Sequence, residues 1–322
     1  MTILLQFYHY IFIVVGALLL SGFFFSIWLV FAIAQRVYWH TLTRMKDTDW
    51  RRECSKKDNE EQVKMWDDGI AYMSQFQDKK EELEITSFDH LKLCAEYYDF
   101  HQDKTVIFLC GRCECLIYAY YYAKPYVDMG YNLLFVDQRA HGNSEGKYST
   151  VGILESKDIM KWIDYLKLNK KQSNFYFHCV CVGGVSGSLV ASNDQYKDDI
   201  KGLVLDGAFL NFEESYKRHY VHLGHKTFPV FYLIWFWFKY YTKQSVKLSS
   251  PYNALPNVKC PTLFLHGKKD IFSLAKNAEI LYDRSGSEKK QIVYFDEGSH
   301  SHLRNNNIEK YDQSIINFYQ QK

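Results

Sequence analysis

The chain has 322 residues, of which 47% are hydrophobic and 17% aromatic, and its formal net charge is +2. This length has room for one domain of about 240 residues beside an N-terminal membrane segment. Because the charge is balanced and forms no long block of one sign, the composition does not indicate a nucleic-acid-binding protein or a strongly acidic substrate.

The first predicted element is a membrane anchor over residues 1–35. Tyr10 to Ala34 reads YIFIVVGALLLSGFFFSIWLVFAIA without a charged residue, and an apolar helix of this length crosses a hydrocarbon core of about 30 Å. A buried core helix and a cleavable signal peptide are the alternatives. Ala32-Ile33-Ala34 is similar to a cleavage site, but the apolar run is too long and no Lys or Arg precedes it.

Basic residues follow the predicted span on its C-terminal side. Such residues are enriched on the cytoplasmic side of a membrane span, and here they are Arg36, Arg44, Lys46, Arg51 and Arg52. We therefore expect a single-pass membrane protein whose main domain faces the cytoplasm. Residues 36–80 are predicted to form a membrane-proximal helical linker, because this segment is charged and rich in helix formers.

Beyond residue 80 the sequence changes to short β-rich runs separated by stretches long enough for helices. The first two runs alternate and lie close together, whereas the last six are nearly continuous apolar segments, as in strands covered on both faces. We predict an α/β domain over residues 81–322 with an eight-stranded, mostly parallel sheet and an antiparallel start. The predicted strands are Leu83–Ser87, Lys92–Tyr98, Thr105–Leu109, Asn132–Val136, Phe175–Cys179, Gly202–Leu205, Thr262–His266 and Gln291–Phe295.

The sequence has eight cysteines, namely Cys54, Cys94, Cys110, Cys113, Cys115, Cys179, Cys181 and Cys260. An even number is compatible with disulfides in a secreted protein, but a chain of this length with its own core does not need them. Several cysteines lie in predicted strands or at strand ends, where small apolar residues are common. Reduced thiols are therefore expected.

A strand–turn–helix motif with a cysteine at its turn follows the fifth predicted strand. Cys179-Val180-Cys181-Val182-Gly183 corresponds to the pattern G-x-S-x-G, in which a nucleophile sits on a strained turn between a strand and a helix. The flanking residues of such a turn must be small, because bulky ones would collide across it. Cys179 is larger than glycine, so its sulfur must find space beneath the turn.

With this motif, residues 81–322 resemble the α/β-hydrolase superfamily, and most of all its bacterial esterase and serine-aminopeptidase-like branch. Four further segments are similar to family motifs and occur in the family's order. They are Leu109-Cys110-Gly111 in place of His-Gly after the third strand, Asp137–Gly146 (DQRAHGNSEG) after the fourth, Leu265–Asp270 (LHGKKD) after the seventh and Glu297–His300 (EGSH) after the eighth. The resemblance implies an α/β-hydrolase fold with a helical cap.

By position, the resemblance implies Cys181 as the nucleophile, His300 as the base and Asp270 as the acid that orients the base. It also implies an oxyanion hole made by the backbone N–H groups of Arg112 and Val182. An ordinary thiol, with a pKa of about 8.5, becomes a thiolate at neutral pH when an imidazole and a helix N-terminus lie beside it. No metal or organic cofactor is implied.

Neighbouring polar residues allow other assignments. His302 is a second candidate base, although it misses the Gly-Ser-His position, and Asp206 is a second candidate acid, although a capping or turn role suits it better. His141 and Asp137 are expected to hold a loop together rather than to react. A thiolate metal site or redox pair is also conceivable, although C-x-x-C-x-C is not a standard zinc spacing. It would use Cys110, Cys113, Cys115, Cys179 and Cys181.

Residues 208–256 lie where the family carries its cap and include FPVFYLIWFWFKYY, which is too short to cross a bilayer. Contact with the membrane surface and packing on the core are the alternatives to a cap that lines an acyl pocket. We predict the cap, with Trp235 and Trp237 contributing to acceptance of a small hydrophobic or amphiphilic acyl substrate. The predicted function is hydrolysis of an ester, thioester or related acyl bond through an acyl-cysteine. A catalytically inactive hydrolase-fold binding protein and a thiol redox or metal protein are the rivals.

Overall fold

The computed structural model describes residues 2–44 and 60–320. Predictions that concern residues 45–59 lie outside the described residues. They include the basic residues Lys46, Arg51 and Arg52, the thiol of Cys54 and part of the predicted linker.

The apolar N-terminal segment forms one uninterrupted helix, α1, over Thr2–Leu42. Its 41 residues extend for about 60 Å at roughly 1.5 Å per residue, which is long enough, and apolar enough, to cross a membrane. Apolar side chains between Leu4 and Leu29 are exposed, whereas Ala34 and Leu42 are buried. The helix therefore continues beyond the predicted span, and its last turns pack against the folded domain.

Within the described residues, eight strands form a mixed sheet in the order β1-β2-β4-β3-β5-β6-β7-β8. β2 pairs antiparallel with β1 and with β4, and all later pairings are parallel. The predicted eight-stranded, mostly parallel sheet with an antiparallel start is confirmed. The strands are β1 Lys80–Thr86, β2 Lys92–Tyr98, β3 Lys104–Leu109, β4 Asn132–Val136, β5 Asn174–Val180, β6 Ile200–Asp206, β7 Thr262–Gly267 and β8 Lys290–Phe295.

Helices cover both faces of the sheet. Along β3, Val106 and Phe108 pack into the core on one face, while Ile107 and Leu109 pack into the core on the other. Burial on both faces explains why the strand is apolar at successive positions. The helices are α2 Glu60–Met73, α3 Leu116–Ala119, α4 Lys124–Asp128, α5 Ile153–Asn169, α6 Gly183–Ala191, α7 Phe212–His222, α8 Val230–Thr242, α9 Pro251–Ala254, α10 Ala275–Arg284 and α11 Ile308–Gln320. Short 3-10 turns cover Ser74–Lys79, Tyr120–Tyr122, Val246–Leu248, Leu255–Asn257 and Leu303–Asn306.

The predicted cap segment contains α7 and α8, and α8 packs against α1. The indole Nε1 of Trp237 donates to the backbone oxygen of Phe31 at 3.0 Å. Further along both helices, the ring of Tyr241 stacks on Tyr38 with centroids 5.4 Å apart. The last turns of α1 are therefore part of the aromatic core that α7 and α8 build beside the sheet.

Backbone hydrogen bonds tie the end of α1 to the loop after β4. The N–H of Arg44 donates to the oxygen of Lys147 at 2.7 Å, and the N–H of Ser149 donates to the oxygen of Leu42 at 3.1 Å. Residues 36–44, which belong to the predicted linker, are therefore bound to the domain rather than separate from it.

Candidate active site

Cys181 lies on the sharp turn between β5 and α6, at the carboxyl edge of the parallel strands. Its φ is +51°, in the left-handed region that residues other than glycine seldom adopt. The turn is held across the sheet, because the N–H of Cys181 donates to the backbone oxygen of Asp206 at 2.9 Å. A strained residue exposed between a strand and a helix is the arrangement of a nucleophile elbow.

Two glycines make room for this turn. A Cβ on Gly183 would lie 2.1 Å from the backbone oxygen of Leu109, so no larger residue fits there. A Cβ on Gly187 would lie 2.4 Å from the sulfur of Cys179. The sulfur of Cys179 therefore occupies the space that Gly187, one helical turn along α6, leaves open. This explains how the elbow accommodates a cysteine where the family pattern has glycine.

Asp270, after β7, and His300, after β8, meet beside Cys181. The Nδ1 atom of His300 lies 2.6 Å from Oδ2 of Asp270, and the imidazole lies close enough to Cys181 for the thiol to raise the pKa of His300. The other carboxylate oxygen of Asp270 accepts the N–H groups of Phe272 and Ser273 at 2.9 and 2.8 Å. The three predicted residues thus form a series, Cys181–His300–Asp270, because neighbouring parallel strands end at the same edge of the sheet.

The charged forms of His300 and Asp270 stabilise each other. Burial lowers the pKa of His300, but the neighbouring Cys181 and Asp270 outweigh it, so the pKa lies well above its ordinary value. Burial raises the pKa of Asp270, but the charge and hydrogen bond of His300 outweigh it, so this pKa lies below its ordinary value. The site therefore favours an imidazolium beside the carboxylate of Asp270.

The loop after β3 approaches the nucleophile closely. A Cβ on Gly111 would lie 3.5 Å from the Cβ of Cys181, and the N–H of Gly111 donates to Oε2 of Glu114 at 2.8 Å. Among the described turns and loops, neither the N–H of Arg112 nor that of Val182 takes part in a backbone hydrogen bond. This arrangement is compatible with their predicted use as oxyanion donors.

A cavity of about 170 Å³ adjoins the series. Its apolar lining comes from Phe209, Phe272 and two residues of α7, Phe212 and Tyr216. Polar side chains also line it, namely Gln62, Arg112, Glu114, Ser215, His219, Ser301 and His302. The cavity therefore offers both aromatic and polar side chains next to Cys181.

The structure places Trp235 and Trp237 away from this cavity. Trp235 packs behind α7, with ring centroids 5.7 Å from Tyr216 and 5.5 Å from Phe231, and Trp237 packs on α1. The aromatic wall that sequence reasoning assigned to α8 comes from α7 instead. A signal for this was present, because Phe212 and Tyr216 follow the helix-capping residue Asn211 at the spacing of one helix face.

Helix α2, in the predicted linker, also contributes to the site. Gln62 lines the cavity, and the backbone oxygen of Glu61 accepts from the side chain of Asn305 at 2.9 Å. The carboxylate of Glu61 lies 3.6 Å from Nδ1 of His302, and Ser299 donates its hydroxyl hydrogen bond to the same carboxylate. His302 thus faces α2. No sequence motif predicts this contact or the position of Glu114 in the cavity.

Asp206, the alternative acid, is fully buried beside the series. Its Oδ2 accepts the hydroxyl of Tyr311 at 2.7 Å, and burial raises its pKa to about 7. Asp137 and His141 belong to the loop after β4, as expected. The carboxylate of Asp137 accepts the N–H groups of Leu116 and Asn143, each at 2.8 Å.

The seven described cysteines are free thiols. In residues 2–44 and 60–320, no group of three or more His, Cys, Asp or Glu side chains is arranged to hold a metal ion. Cys110 is buried and donates weakly to the backbone oxygen of Cys115 at 3.5 Å. Cys113 instead contacts the guanidinium of Arg112 at 3.3 Å.

Comparison with known proteins finds similarity to hydrolases. The family model of serine aminopeptidase, S33, matches residues 101–253, a stretch that includes Cys181 and ends before Asp270 and His300. "Uncharacterized protein YqkD" of Bacillus subtilis is 24% identical over 221 residues, which cover 68% of this chain and 72% of that protein. Lysophosphatidylserine lipase ABHD12 of Xenopus tropicalis is 28% identical over 143 residues, which cover 44% of this chain and 36% of the lipase. The alignment thus spans little more than a third of the lipase.

Solved structures share the fold. The esterase Pf2001 of Pyrococcus furiosus superposes with a TM-score of 0.63 and 24% identity, over 78% of this chain and 93% of the esterase. The esterase EaEST of Exiguobacterium antarcticum superposes with a TM-score of 0.54 and 19% identity, over 74% of this chain and 99% of that one. The predicted α/β-hydrolase fold is therefore confirmed. The chain therefore has the α/β-hydrolase fold and is similar to serine aminopeptidases and esterases.

Proposed function

We propose that this protein is a membrane-anchored acyl hydrolase that uses Cys181 as its nucleophile, His300 as its base and Asp270 as the orienting acid. The observation that carries the proposal is the series itself. A thiol on a strained elbow lies beside an imidazole, and Nδ1 of this imidazole lies 2.6 Å from a buried carboxylate. A protein that only binds its ligand has no chemical need for this arrangement.

The proposed reaction proceeds through a thioester. The thiolate of Cys181 attacks the carbonyl carbon of the substrate, and the electron pair of the C=O bond moves to oxygen, where the N–H groups of Arg112 and Val182 stabilise it. The tetrahedral intermediate collapses, the bond to the leaving group breaks, and the imidazolium of His300 gives its proton to that group. A water molecule then attacks the thioester while His300 accepts its proton, and the acid and the free thiolate are released.

We infer an amphiphilic acyl substrate that reaches the site near a membrane. A cavity lined by both aromatic and polar side chains suits a molecule with an apolar chain and a polar head. The similarity to a protein named lysophosphatidylserine lipase supports the same class. The long apolar α1 supports anchoring in a membrane, and the basic residues that follow it favour a domain on the cytoplasmic side.

The proposal is tested by measuring alkylation and turnover on the full chain in detergent micelles. Iodoacetamide should modify Cys181 at lower pH and faster than Cys113, the other partly exposed described thiol, because Cys181 lies beside the imidazole of His300 and at the N-terminus of a helix. His300→Ala should slow both alkylation and hydrolysis of a panel of esters and thioesters. His101→Ala, whose side chain is 85% exposed, is the matched control and should change neither.

Two substitutions at the nucleophile separate catalysis from binding. Cys181→Ala should abolish hydrolysis and keep the fold, since alanine is smaller than the residue that the elbow already holds. Cys181→Ser should retain part of the esterase activity, because the hydroxyl inherits the same histidine. If Cys181 reacts with the same pH dependence as Cys113, and Cys181→Ala hydrolyses as well as the unchanged chain, the binding-protein alternative replaces the proposal.

A further inference from the structure

The outer face of α8 is aromatic, although most surface helices are polar on that side. Phe231, Ile234 and Phe238 point into the domain and are fully buried. On the opposite side Tyr232, Phe236 and Tyr240 recur every four residues and are 50, 49 and 55% exposed. Helix α11 shows the ordinary pattern. Apart from Ile308, its exposed side chains are Glu309, Lys310, Gln313, Asn317 and Gln320.

This aromatic stripe, defined as Tyr232, Phe236 and Tyr240, adjoins the place where α1 enters the domain. The ring of Phe236 lies 5.7 Å from the ring of Phe31 in an edge-to-face contact. One turn before Phe31 the α1 side chains are exposed and apolar, and one turn after it Ala34 is fully buried. The stripe therefore lies at the level where the apolar helix passes from its unpartnered segment into the domain.

We propose that the aromatic stripe of α8 is a second membrane contact and lies in the interfacial layer of the bilayer that α1 crosses. Tyrosine rings favour this layer, and phenylalanine is common on the apolar face of helices that lie in it. The exposed Lys239 lies on the same helix, the exposed Lys243 directly follows it, and both fit anionic lipid headgroups. The inference rests on the membrane anchoring in the proposed function and is independent of the catalytic residues.

The consequence for the site is a short path from lipid to the cavity. On its inner side, α8 packs against α7, where Phe231 and Trp235 contact Tyr216 with centroids 6.2 and 5.7 Å apart. Tyr216 itself lines the cavity. One helix therefore separates the cavity wall from the proposed lipid surface, so an amphiphile in the bilayer has the cavity close to its headgroup.

The test is photo-crosslinking of the full chain in vesicles of phosphatidylcholine and phosphatidylglycerol. Benzoylphenylalanine replaces Phe236 on the stripe, Phe24 in the exposed part of α1, or Leu168, which is 71% exposed on α5. Both Phe236 and Phe24 should give lipid adducts severalfold above those at Leu168. Adducts at Phe24 with none above Leu168 at Phe236 overturn the inference and leave the anchor standing.

The remaining outcomes are also decisive. Background labelling at both Phe24 and Phe236 overturns the anchoring as well as the second contact. Crosslinks from Phe236 to another copy of the chain, or to a different segment of the same chain, identify a protein cover for the stripe and overturn the lipid assignment. Removing phosphatidylglycerol should reduce the Phe236 adducts and leave those at Phe24 unchanged, because Lys239 and Lys243 lie near Phe236 in sequence, whereas the part of α1 around Phe24 has no basic residue.

Discussion

The volume of the cavity predicts an upper limit to the acyl chain that the site encloses. At roughly 30 Å³ per non-hydrogen atom, the share of a water molecule in the liquid, a cavity of about 170 Å³ holds five or six atoms. Burial of each methylene contributes about 0.8 kcal/mol, which is about fourfold in kcat/KM. In a series of straight-chain acyl esters or thioesters, kcat/KM should therefore rise about fourfold per methylene, up to roughly six carbons, and then level off.

Tyr216 allows this reasoning to be tested, because it is 5% exposed and forms part of the cavity wall. Tyr216→Leu removes the ring and should move the plateau to longer chains. Tyr216→Phe retains the ring and should leave the plateau in place. Trp237→Phe is the control outside the cavity and should also leave it unchanged. A wild-type kcat/KM that still rises steeply from hexanoyl to decanoyl substrates would refute the reasoning, as would an equal shift in Trp237→Phe.

The elbow, a buried histidine and the orienting acid each yield one further prediction. Gly187→Ala should lower the free energy of unfolding by about 1–3 kcal/mol, since its Cβ would lie 2.4 Å from the sulfur of Cys179. In urea titrations, the same substitution should cost much less in a chain that also carries Cys179→Gly. An equal loss with and without Cys179→Gly would contradict the contact. Burial lowers the pKa of His178 to about 3, so as the pH falls the unfolded chain takes up the proton first, near pH 6.5. His178 alone should then lower the free energy of unfolding by on the order of 3 kcal/mol between neutral pH and about 4.5. Because burial raises the pKa of Asp206 to about 7 and gives the opposite pH dependence, the contribution of His178 is measured as the difference between the unchanged chain and His178→Gln over this range. Asp270→Asn should lower the pKa of His300 and therefore slow alkylation of Cys181 at neutral pH. It should also reduce turnover on the order of 10³-fold or more. Unchanged alkylation would show that the carboxylate does not act through the imidazole.

Much of the sheet was predictable because its strands are apolar on both faces. The predicted bounds of Lys92–Tyr98 and Asn132–Val136 match those of β2 and β4, and the other strands differ by one to three residues at their ends. The ends of strands are harder to predict, because polar side chains at these positions reach solvent whether the backbone is extended or part of a turn. The anchor shows the same effect, because hydropathy detects Tyr10–Ala34 but not the amphipathic turns that extend α1 to Leu42.

The sequence by itself determined the order of the chemical groups: a cysteine on a strand–turn–helix motif, an acid after β7 and a histidine after β8. Their roles are what the resemblance to α/β-hydrolases implies, and they meet because parallel strands end at one edge of the sheet. Tertiary structure alone decided which side chains surround them. Phe212 and Tyr216 line the cavity, while Trp235 and Trp237 face the cap core and α1, since the rotation of each helix depends on all its neighbours at once. The sequence of α8 is aromatic on every face of the helix, so hydropathy does not show which face is buried. Only the packing of α8 against α1 and the domain distinguishes its buried face from its exposed face.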